Sequence, residues 1–310
     1  MSSRHRERQA GAKASADIIA GAGAGGVSRV LVAPLDLIKI RLQLPGGPHV
    51  TNTGTSLHET VRLIYAEEGL RTFWRGNVPA MCLWMSYSAV QFSCFHGLKR
   101  LLVDEAYGSQ YHGDKLKYVY DLLNGAVAGT AATVITYPFD LMRTTFAAQG
   151  LPREHPTMIH LWRARITKSG VLGLYRGCGA AVAGIAPFMG LNFCIFEALS
   201  ARKCWDTDAA AVLSPMWLGT ISGTTAKLVV YPLDTVKKRM QVQGQPLRRV
   251  NGSKPVLQPH YSSTWQCCRH ILRAEGLIGF YRGTLPTLLK AGLGTGATFA
   301  SFDYIRSRLM

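Results

Sequence analysis

The sequence predicts an all-α membrane protein in which three tandem, pseudosymmetric repeats contribute two transmembrane helices each. Three observations predict this fold: six apolar stretches of spanning length, a motif that recurs three times, and a low charge content. Only 17% of the 310 residues are charged, 47% are apolar, and 32 are glycine. This composition excludes disorder. It also disfavours a soluble protein, which would have too few charges to cover its surface, whereas helices in a bilayer need no such cover and tolerate glycine.

Six stretches have the length that a transmembrane helix needs, about 20 mostly apolar residues. Three of them contain no charged residue or histidine, and the other three are each interrupted by one cation, Arg29, Lys227 or Lys290. An even number of spans places both termini on the same side of the membrane. The predicted spans cover residues 18–35, 77–95, 122–139, 177–196, 209–233 and 283–302.

Internal repetition sets the domain organisation. A Pro-x-Asp-x-x-(Lys/Arg) motif begins at Pro34, Pro138 and Pro232, and each copy is followed by an aromatic-Arg-Gly element at 74–76, 175–177 and 281–283. Each repeat therefore holds a pair of spans joined by a polar loop. We divide the chain into a basic tail at residues 1–14 and three repeats at 15–103, 116–203 and 211–310.

The three polar loops determine the predicted orientation. They are expected to hold short amphipathic helices on the membrane surface, near residues 57–66, 157–168 and 263–274. These loops carry 20 of the 35 Lys and Arg residues, so the positive-inside rule places them on the inner side of the membrane. Orientation in a membrane thus accounts for much of the net charge of +17 without nucleic acid as a partner.

Enzyme and metal chemistry find no support in the sequence. There is no nucleophile elbow, no phosphate-binding GxxxxGK(S/T) loop, and no histidine or cysteine spacing typical of a metal site. The seven cysteines lie mostly in or beside apolar stretches, and we interpret them as reduced packing residues.

The threefold motif Px(D/E)xx(K/R), followed by (D/E)Gxxxx(W/Y/F)(K/R)G, resembles the mitochondrial carrier family over essentially the whole chain. The resemblance implies a monomeric transporter of the inner mitochondrial membrane that works by alternating access. It also implies termini toward the intermembrane space, polar loops in the matrix, and an anionic lipid bound at the matrix face. The second repeat departs from the pattern at Thr145, where the family has a cation, and at Ser169, where it has an acid.

The resemblance further implies a matrix gate of ion pairs between repeats. Each proline is expected to bend its helix inward and bring the charges together. Gln43 and Gln241 occupy the positions of residues that brace these pairs, and Ala147 leaves the second repeat without a brace. The implied pairs are Asp36 with Arg143, Asp140 with Lys237, and Asp234 with Lys39.

A second gate is implied on the cytoplasmic side, where the family pattern is only partly present. Its candidate residues are Lys99, Glu197, Asp303 and Arg306, and Lys99 with Glu197 is the one fully retained pair. We therefore expect a weak cytoplasmic gate and a resting preference for the cytoplasm-open state.

The three cations inside the spans indicate the type of substrate. Intramembrane charges are costly and hence mark functional sites. Arg29 and Lys227 both lie five residues before their prolines, Thr133 is their counterpart in the third span, and Lys290 lies in the sixth span. Three cations that converge on a cavity suit a polyanion, and arginine binds phosphate oxygens with two donors. The sequence therefore favours a phosphorylated solute.

Other residues of the even-numbered spans are candidates for contact with the rest of the solute. Trp84 and Tyr87 offer π faces for an organic cation such as a thiazolium ring. Gln91 offers a hydrogen-bond donor and an acceptor, and Gly184 and Ile185 leave space for the solute. Each of these residues is also compatible with simple packing.

The segments 33–43, 136–150 and 238–244 are most similar to members of the family that transport thiamine pyrophosphate. The resemblance therefore implies import of thiamine pyrophosphate, with exchange for a nucleotide as one option. The alternatives are adenine nucleotides, coenzyme A or another phosphorylated cofactor, because three cations do not distinguish one polyphosphate from another.

Overall fold

The computed structural model describes most of the chain. Side chains are described in the same ranges as the backbone, except at residues 2–16, 18–19, 99, 114–122, 208–216, 246–247, 256–257 and 309. The backbone is described for residues 2–44, 57–100, 114–150, 153–200, 208–247 and 256–309.

Nine α-helices, six long and three short, form within these ranges, which confirms the predicted all-α class. A pair of two-residue antiparallel strands, β1 (Pro246–Leu247) and β2 (Val256–Leu257), adds a small ribbon. The helices are α1 (Ser2–Gln43), α2 (Leu57–Glu68), α3 (Asn77–Lys99), α4 (Asp114–Ala148), α5 (Met158–Ser169), α6 (Cys178–Ser200), α7 (Asp208–Val242), α8 (Thr264–Glu275) and α9 (Thr284–Leu309).

The six long helices close into a ring. Within each repeat the two long helices pack together, and neighbouring repeats meet through α3 with α4, α6 with α7, and α9 with α1. The odd-numbered spans, α1, α4 and α7, also contact one another. The ring therefore surrounds a central space, and these three helices converge on it.

The long helices extend beyond the predicted spans. Helices α1, α4 and α7 continue for nine or ten residues past Pro34, Pro138 and Pro232. The predicted spans end near these prolines because they include only the apolar part of each helix, whereas the polar part carries the motif charges that recur in the three repeats. Helix α1 begins at Ser2, so the backbone of the predicted basic tail is helical, and its side chains lie outside the described residues.

The outer surface of the ring is apolar. Large hydrophobic side chains on the long helices are exposed, among them Leu31, Val78, Phe92, Ile135 and Val229. An apolar surface of this extent suits lipid rather than water. By length and hydropathy alone, two stretches of the described residues qualify as membrane spans, Ala20–Gln43 and Val171–Ser200, because glycine, threonine and inward-facing charges lower the hydropathy of the other long helices.

The short helices α2, α5 and α8 lie where the sequence predicted amphipathic surface helices. Thr157 and Ser263 cap α5 and α8 by accepting hydrogen bonds from the backbone N–H groups of His160 and Gln266. The buried face of α8 includes Cys267, and burial raises the pKa of this thiol to about 12, which suits an unreactive packing residue. Six cysteines are free thiols among the described residues, while Cys204 lies outside them.

Three glycines hold the repeats together at close range. Gly76, Gly177 and Gly283 end the aromatic-Arg-Gly elements with φ near +80°, a left-handed conformation that favours glycine. A Cβ atom at each would lie 2.8 Å from the carbonyl oxygen of Arg143, 3.1 Å from that of Lys237, and 3.0 Å from that of Lys39, respectively. Each glycine thus lets one repeat approach the backbone of a motif cation in the next repeat.

Gly76→Ala is expected to lower the thermal unfolding midpoint of the purified protein, because the added Cβ is both strained at positive φ and in collision with a backbone carbonyl. Gly97→Ala is the matched control, since nothing lies within 4 Å of a Cβ in that helical position. There, alanine is expected to raise the midpoint or leave it unchanged. Equal effects of the two substitutions would contradict the close-approach argument.

Candidate binding cavity and ion-pair ring

The prolines of α1, α4 and α7 lie within helices whose polar ends meet at one end of the central space. There, three ion pairs join neighbouring repeats, and we call these six residues the ion-pair ring. The structure thus brings together the three pairs that the family resemblance implied for the matrix gate. The contacts are Arg143 Nη2 to Asp36 Oδ2 at 2.5 Å, Lys237 Nζ to Asp140 Oδ2 at 2.9 Å, and Lys39 Nζ to Asp234 Oδ2 at 2.7 Å.

Each carboxylate of the ring also contacts a second cation. A buried carboxylate loses its hydration, and two nearby cations compensate for that loss better than one. The ring and these additional lysines therefore have more positive than negative charge. The second contacts are Lys290 Nζ to Asp36 at 2.6 Å, Lys238 Nζ to Asp140 at 3.1 Å, and Lys227 Nζ to Asp234 at 3.6 Å.

The two glutamines expected as braces differ in their contacts. Gln241 donates from Nε2 to Asp140 Oδ2 at 2.7 Å and accepts from Lys238 Nζ at 3.1 Å. Gln43 donates to the hydroxyl of Thr235, beside the Lys39 pair, at 3.4 Å. Ala147 offers no side-chain hydrogen bond in the second repeat, as the sequence indicated. Gln241 is thus the brace with direct contact to a ring carboxylate.

Two tyrosines cover lysines of the ring, and the sequence analysis did not identify them. Lys39 Nζ lies 5.4 Å from the ring centroid of Tyr231, and Lys237 Nζ lies 5.6 Å from that of Tyr137. Both phenol groups donate to backbone carbonyls, Tyr231 to Arg282 and Tyr137 to Arg176. The sequence contains a signal for this role, because a tyrosine directly precedes the motif proline in the second and third repeats.

Two adjoining hollows lie beside the ion-pair ring, each of about 210 Å³. They share Tyr87, Thr133 and Lys237 in their lining and are therefore parts of one cavity. Arg29 lines one hollow and Lys227 lines the other. Both cations face the interior of the bundle rather than lipid, which gives the cavity a positive potential.

Four of the remaining candidates for solute contact line the hollows, whereas Lys290 lines neither. Trp84 and Tyr87 line the hollow of Arg29, whose guanidinium carbon lies 5.6 Å from the Trp84 ring centroid. Gly184 and Ile185 line the hollow of Lys227. Gln91 is half-buried and lines neither hollow.

The other end of the bundle carries the residues expected for the cytoplasmic gate. Glu197 and Asp303 are exposed, and neither forms an ion pair within the described part of the chain. The side chain of Lys99 lies outside the described residues. Arg306 Nε lies 2.9 Å from Asp17 Oδ1 of α1, a contact that the sequence analysis did not predict. Among the described residues, the ion pairs between repeats thus concentrate at the end where the prolines lie, and Arg306 with Asp17 is the pair at the opposite end.

Behind the ring, arginine–glutamate pairs fix the short helices in two of the repeats. Arg41 binds both carboxylate oxygens of Glu68 at 2.6 and 3.0 Å, and Arg239 binds those of Glu275 at 2.6 and 2.8 Å. The second repeat has Thr145 and Ser169 at these positions. Because neither side chain is charged, that repeat cannot form the same pair.

Lys238 is a site residue that the sequence analysis missed. Its side chain is 7% exposed and donates to Asp140, Thr144 and Gln241. Ile40 and Thr144 occupy the equivalent positions of the first and second repeats. The third repeat alone has a cation at this position, which breaks the threefold symmetry of the sequence. That break in symmetry was the available signal.

Comparisons with known proteins agree with the repeat organisation. The sequence model described as "Mitochondrial carrier protein" matches residues 11–106, 114–203 and 209–310. "Mitochondrial thiamine diphosphate carrier 1" of Arabidopsis thaliana is 34% identical over 94% of this chain and 93% of its own length. "Mitochondrial thiamine pyrophosphate carrier 1" is 36% identical in Phaeosphaeria nodorum, over 92% of this chain and 90% of the relative, and 36% in Neurospora crassa, over 92% and 88%. The chain belongs to the mitochondrial carrier family, whose members are transporters of the inner mitochondrial membrane rather than enzymes.

Proposed function

We propose that this protein transports thiamine pyrophosphate into the mitochondrial matrix by alternating access, with exchange for a nucleotide as a coupled step. The observation that carries the proposal is the cavity with Arg29 and Lys227 in its lining, directly beside the closed ion-pair ring. The names of the relatives, thiamine diphosphate and thiamine pyrophosphate carriers, support the choice of substrate.

The diphosphate group would bind to the cations of the cavity. Arg29 offers a planar guanidinium that can contact two phosphate oxygens at once, and Lys227 offers a compact charge on the opposite helix. No further carboxylate lines either hollow besides the ring residues Asp140 and Asp234. An anionic solute therefore suits this cavity better than a cationic one.

The thiazolium ring of the substrate requires an aromatic partner. Arg29 lies over the Trp84 face, so a cation that stacks there must first displace the guanidinium. A diphosphate that draws Arg29 toward its oxygens would free this face for the thiazolium. Tyr87 borders both hollows and offers a second ring within reach of the same solute.

Substrate binding and gate opening are coupled through shared lysines. Lys227 contacts Asp234, and Lys290 contacts Asp36, in addition to the partners of these carboxylates across the repeats. A diphosphate bound in the hollow of Lys227 would compete with Asp234 for the Lys227 ammonium group. A buried carboxylate that loses its second cation is less well compensated for its lost hydration, so the closed ring becomes less stable. Substrate binding thereby lowers the free energy needed to separate the ion pairs of the ring.

The membrane orientation that we propose rests on the positive-inside rule applied to the three polar loops. The ion-pair ring would face the matrix, and both termini would face the intermembrane space, which corresponds to a cytoplasm-open resting state. Lys99, Glu197, Asp303 and Arg306 would close the opposite end after substrate binding. We propose that one chain suffices for transport, since the ring of six long helices surrounds the cavity by itself.

An anionic lipid headgroup would bind at the matrix face between the first two repeats. A hollow of about 300 Å³ lies there, lined by Arg75 and Arg153 together with the apolar side chains of Trp74, Phe146 and Met158. Two cations above an apolar lining suit a lipid phosphate and the start of its acyl chains.

Arg29→Ala and Lys227→Ala are each expected to lower uptake of labelled thiamine pyrophosphate into proteoliposomes about 10- to 100-fold, because a charged hydrogen bond to phosphate is lost. Arg71→Ala, an exposed cation outside the cavity, serves as the control and is expected to retain uptake. Full uptake by both cavity variants would contradict the site. Preference for ATP or coenzyme A over thiamine pyrophosphate in the wild-type protein would contradict the substrate alone.

Asp140→Asn is expected to lower the thermal unfolding midpoint more than Asp234→Asn does. Removing the Asp140 charge leaves Lys237 and Lys238 unpaired, with side chains 17% and 7% exposed. Lys227, the second partner of Asp234, is 38% exposed and can hydrate instead. The measurement is thermal unfolding in detergent without substrate, and the reverse order would refute this electrostatic ranking.

Arg153→Glu is expected to reduce the thermal stabilisation that phosphatidylglycerol provides over phosphatidylcholine, because it places a negative charge beside the proposed headgroup site. Arg163→Glu on the exposed face of α5 is the charge-matched control. An equal response of the two variants to the anionic lipid would argue against a specific site in this hollow.

A further inference from the structure

A set of arginines caps the helix ends below the ion-pair ring. Ala147, Gln43 and Gln241 are equivalent residues, nine positions after their prolines, and each lies at or next to the end of its helix. Carbonyl groups in the last turn of a helix have no partner within the helix and attract cations. In the first of these junctions, Arg41 Nε donates to the Ala147 carbonyl at 3.0 Å.

The other two carbonyls are capped as well, so all three junctions between repeats carry the same type of bond. Arg239 Nε donates to the Gln43 carbonyl at 3.1 Å. Arg165 Nη2 donates to the Gln241 carbonyl at 3.1 Å. Each arginine belongs to one repeat, and its carbonyl belongs to the next repeat around the ring.

The arginine of the second repeat comes from a different helix. Arg41 and Arg239 stand five residues after the motif aspartates, where the second repeat has Thr145. Arg165 belongs to the short helix α5, four residues before Ser169. At that place, four residues before their glutamates, α2 and α8 carry the buried Ile64 and Ile271.

Arg165 also differs in its charge environment. Arg41 and Arg239 are each held by a glutamate of their own repeat, but Ser169 replaces that glutamate and accepts a hydrogen bond from Arg176 instead. The side chain of Arg165 is buried, with 6% exposure, and its Nε atom has no hydrogen-bond partner. Thr145 Oγ1 is likewise buried and without a partner.

We propose that Arg165 is a positioning residue that replaces the missing cation of α4 and closes the third junction between repeats. By fixing the Gln241 end of α7, it holds Lys237 and Gln241 in reach of Asp140. When the junctions separate, Arg41 and Arg239 would each keep the ion pair with the glutamate of their own repeat. Arg165 would lose its hydrogen bond to the Gln241 carbonyl and remain a buried cation. Arg165 therefore favours the closed ring more than its two counterparts do.

Arg165→Ile tests this role, because it installs the residue that the equivalent positions of α2 and α8 carry. We expect its thermal unfolding midpoint in detergent, without substrate, to fall by about 5 °C. Arg163→Ala, on the exposed face of the same helix, is the control and is expected to keep the wild-type midpoint. An unchanged midpoint in Arg165→Ile would overturn the proposal.

Relocation of the cation gives the decisive comparison. The triple variant Arg165→Ile, Thr145→Arg, Ser169→Glu reproduces the arrangement of the first and third repeats, and it is expected to recover at least half of the lost midpoint. If the protein simply needs an arginine in α5, the triple variant should not recover the unfolding midpoint. A triple variant as unstable as Arg165→Ile would therefore overturn the proposal that Arg165 replaces the missing cation of α4. If Arg165→Ile fails to fold, the triple variant is still expected to fold, and its failure would also count against the proposal. The readout does not depend on the identity of the transported solute.

Discussion

Each of the three carboxylates at the closed end of this carrier lies between two cations, and the architecture around the cavity serves to maintain that arrangement. A carboxylate removed from water is costly unless its lost hydration is replaced. Three helix ends meet beyond the motif prolines, the glycines at 76, 177 and 283 let neighbouring repeats approach to backbone contact, and the short helices pack behind those ends. Because each ring cation comes from a neighbouring repeat, the ring pairs join the three repeats and close this end of the bundle.

The second cation of each carboxylate comes from a different place. Asp36 receives Lys290 from the last long helix, α9, and Asp234 receives Lys227 from its own helix, α7. Asp140 receives Lys238, which is buried among polar groups of α4 and α7. The threefold pattern of the sequence thus conceals three junctions of unequal character, since Lys227 alone among these second cations lines one of the two hollows.

Much of this organisation was predictable from the sequence because it repeats. The six long helices follow from the apolar stretches, and the partners of Asp36, Asp140 and Asp234 follow from a motif that occurs three times and resembles a known family. The contacts of Lys238 and Arg165 were not predictable in the same way. Each is present in one repeat alone, and a single cation near a helix end is also compatible with an exposed position, so only packing in three dimensions identifies its partner.

Thr133 has a consequence for the path of opening. It occupies the place that Arg29 and Lys227 hold in the other two repeats, and it donates to the Gly129 carbonyl of its own helix. At the junction between α4 and α7, an arriving phosphate instead meets the ring residue Lys237 directly, because this lysine lines both hollows. The junctions would therefore respond differently to a solute: the Asp234 pair can lose its second cation, Lys227, whereas the Asp140 pair is reached at Lys237 itself.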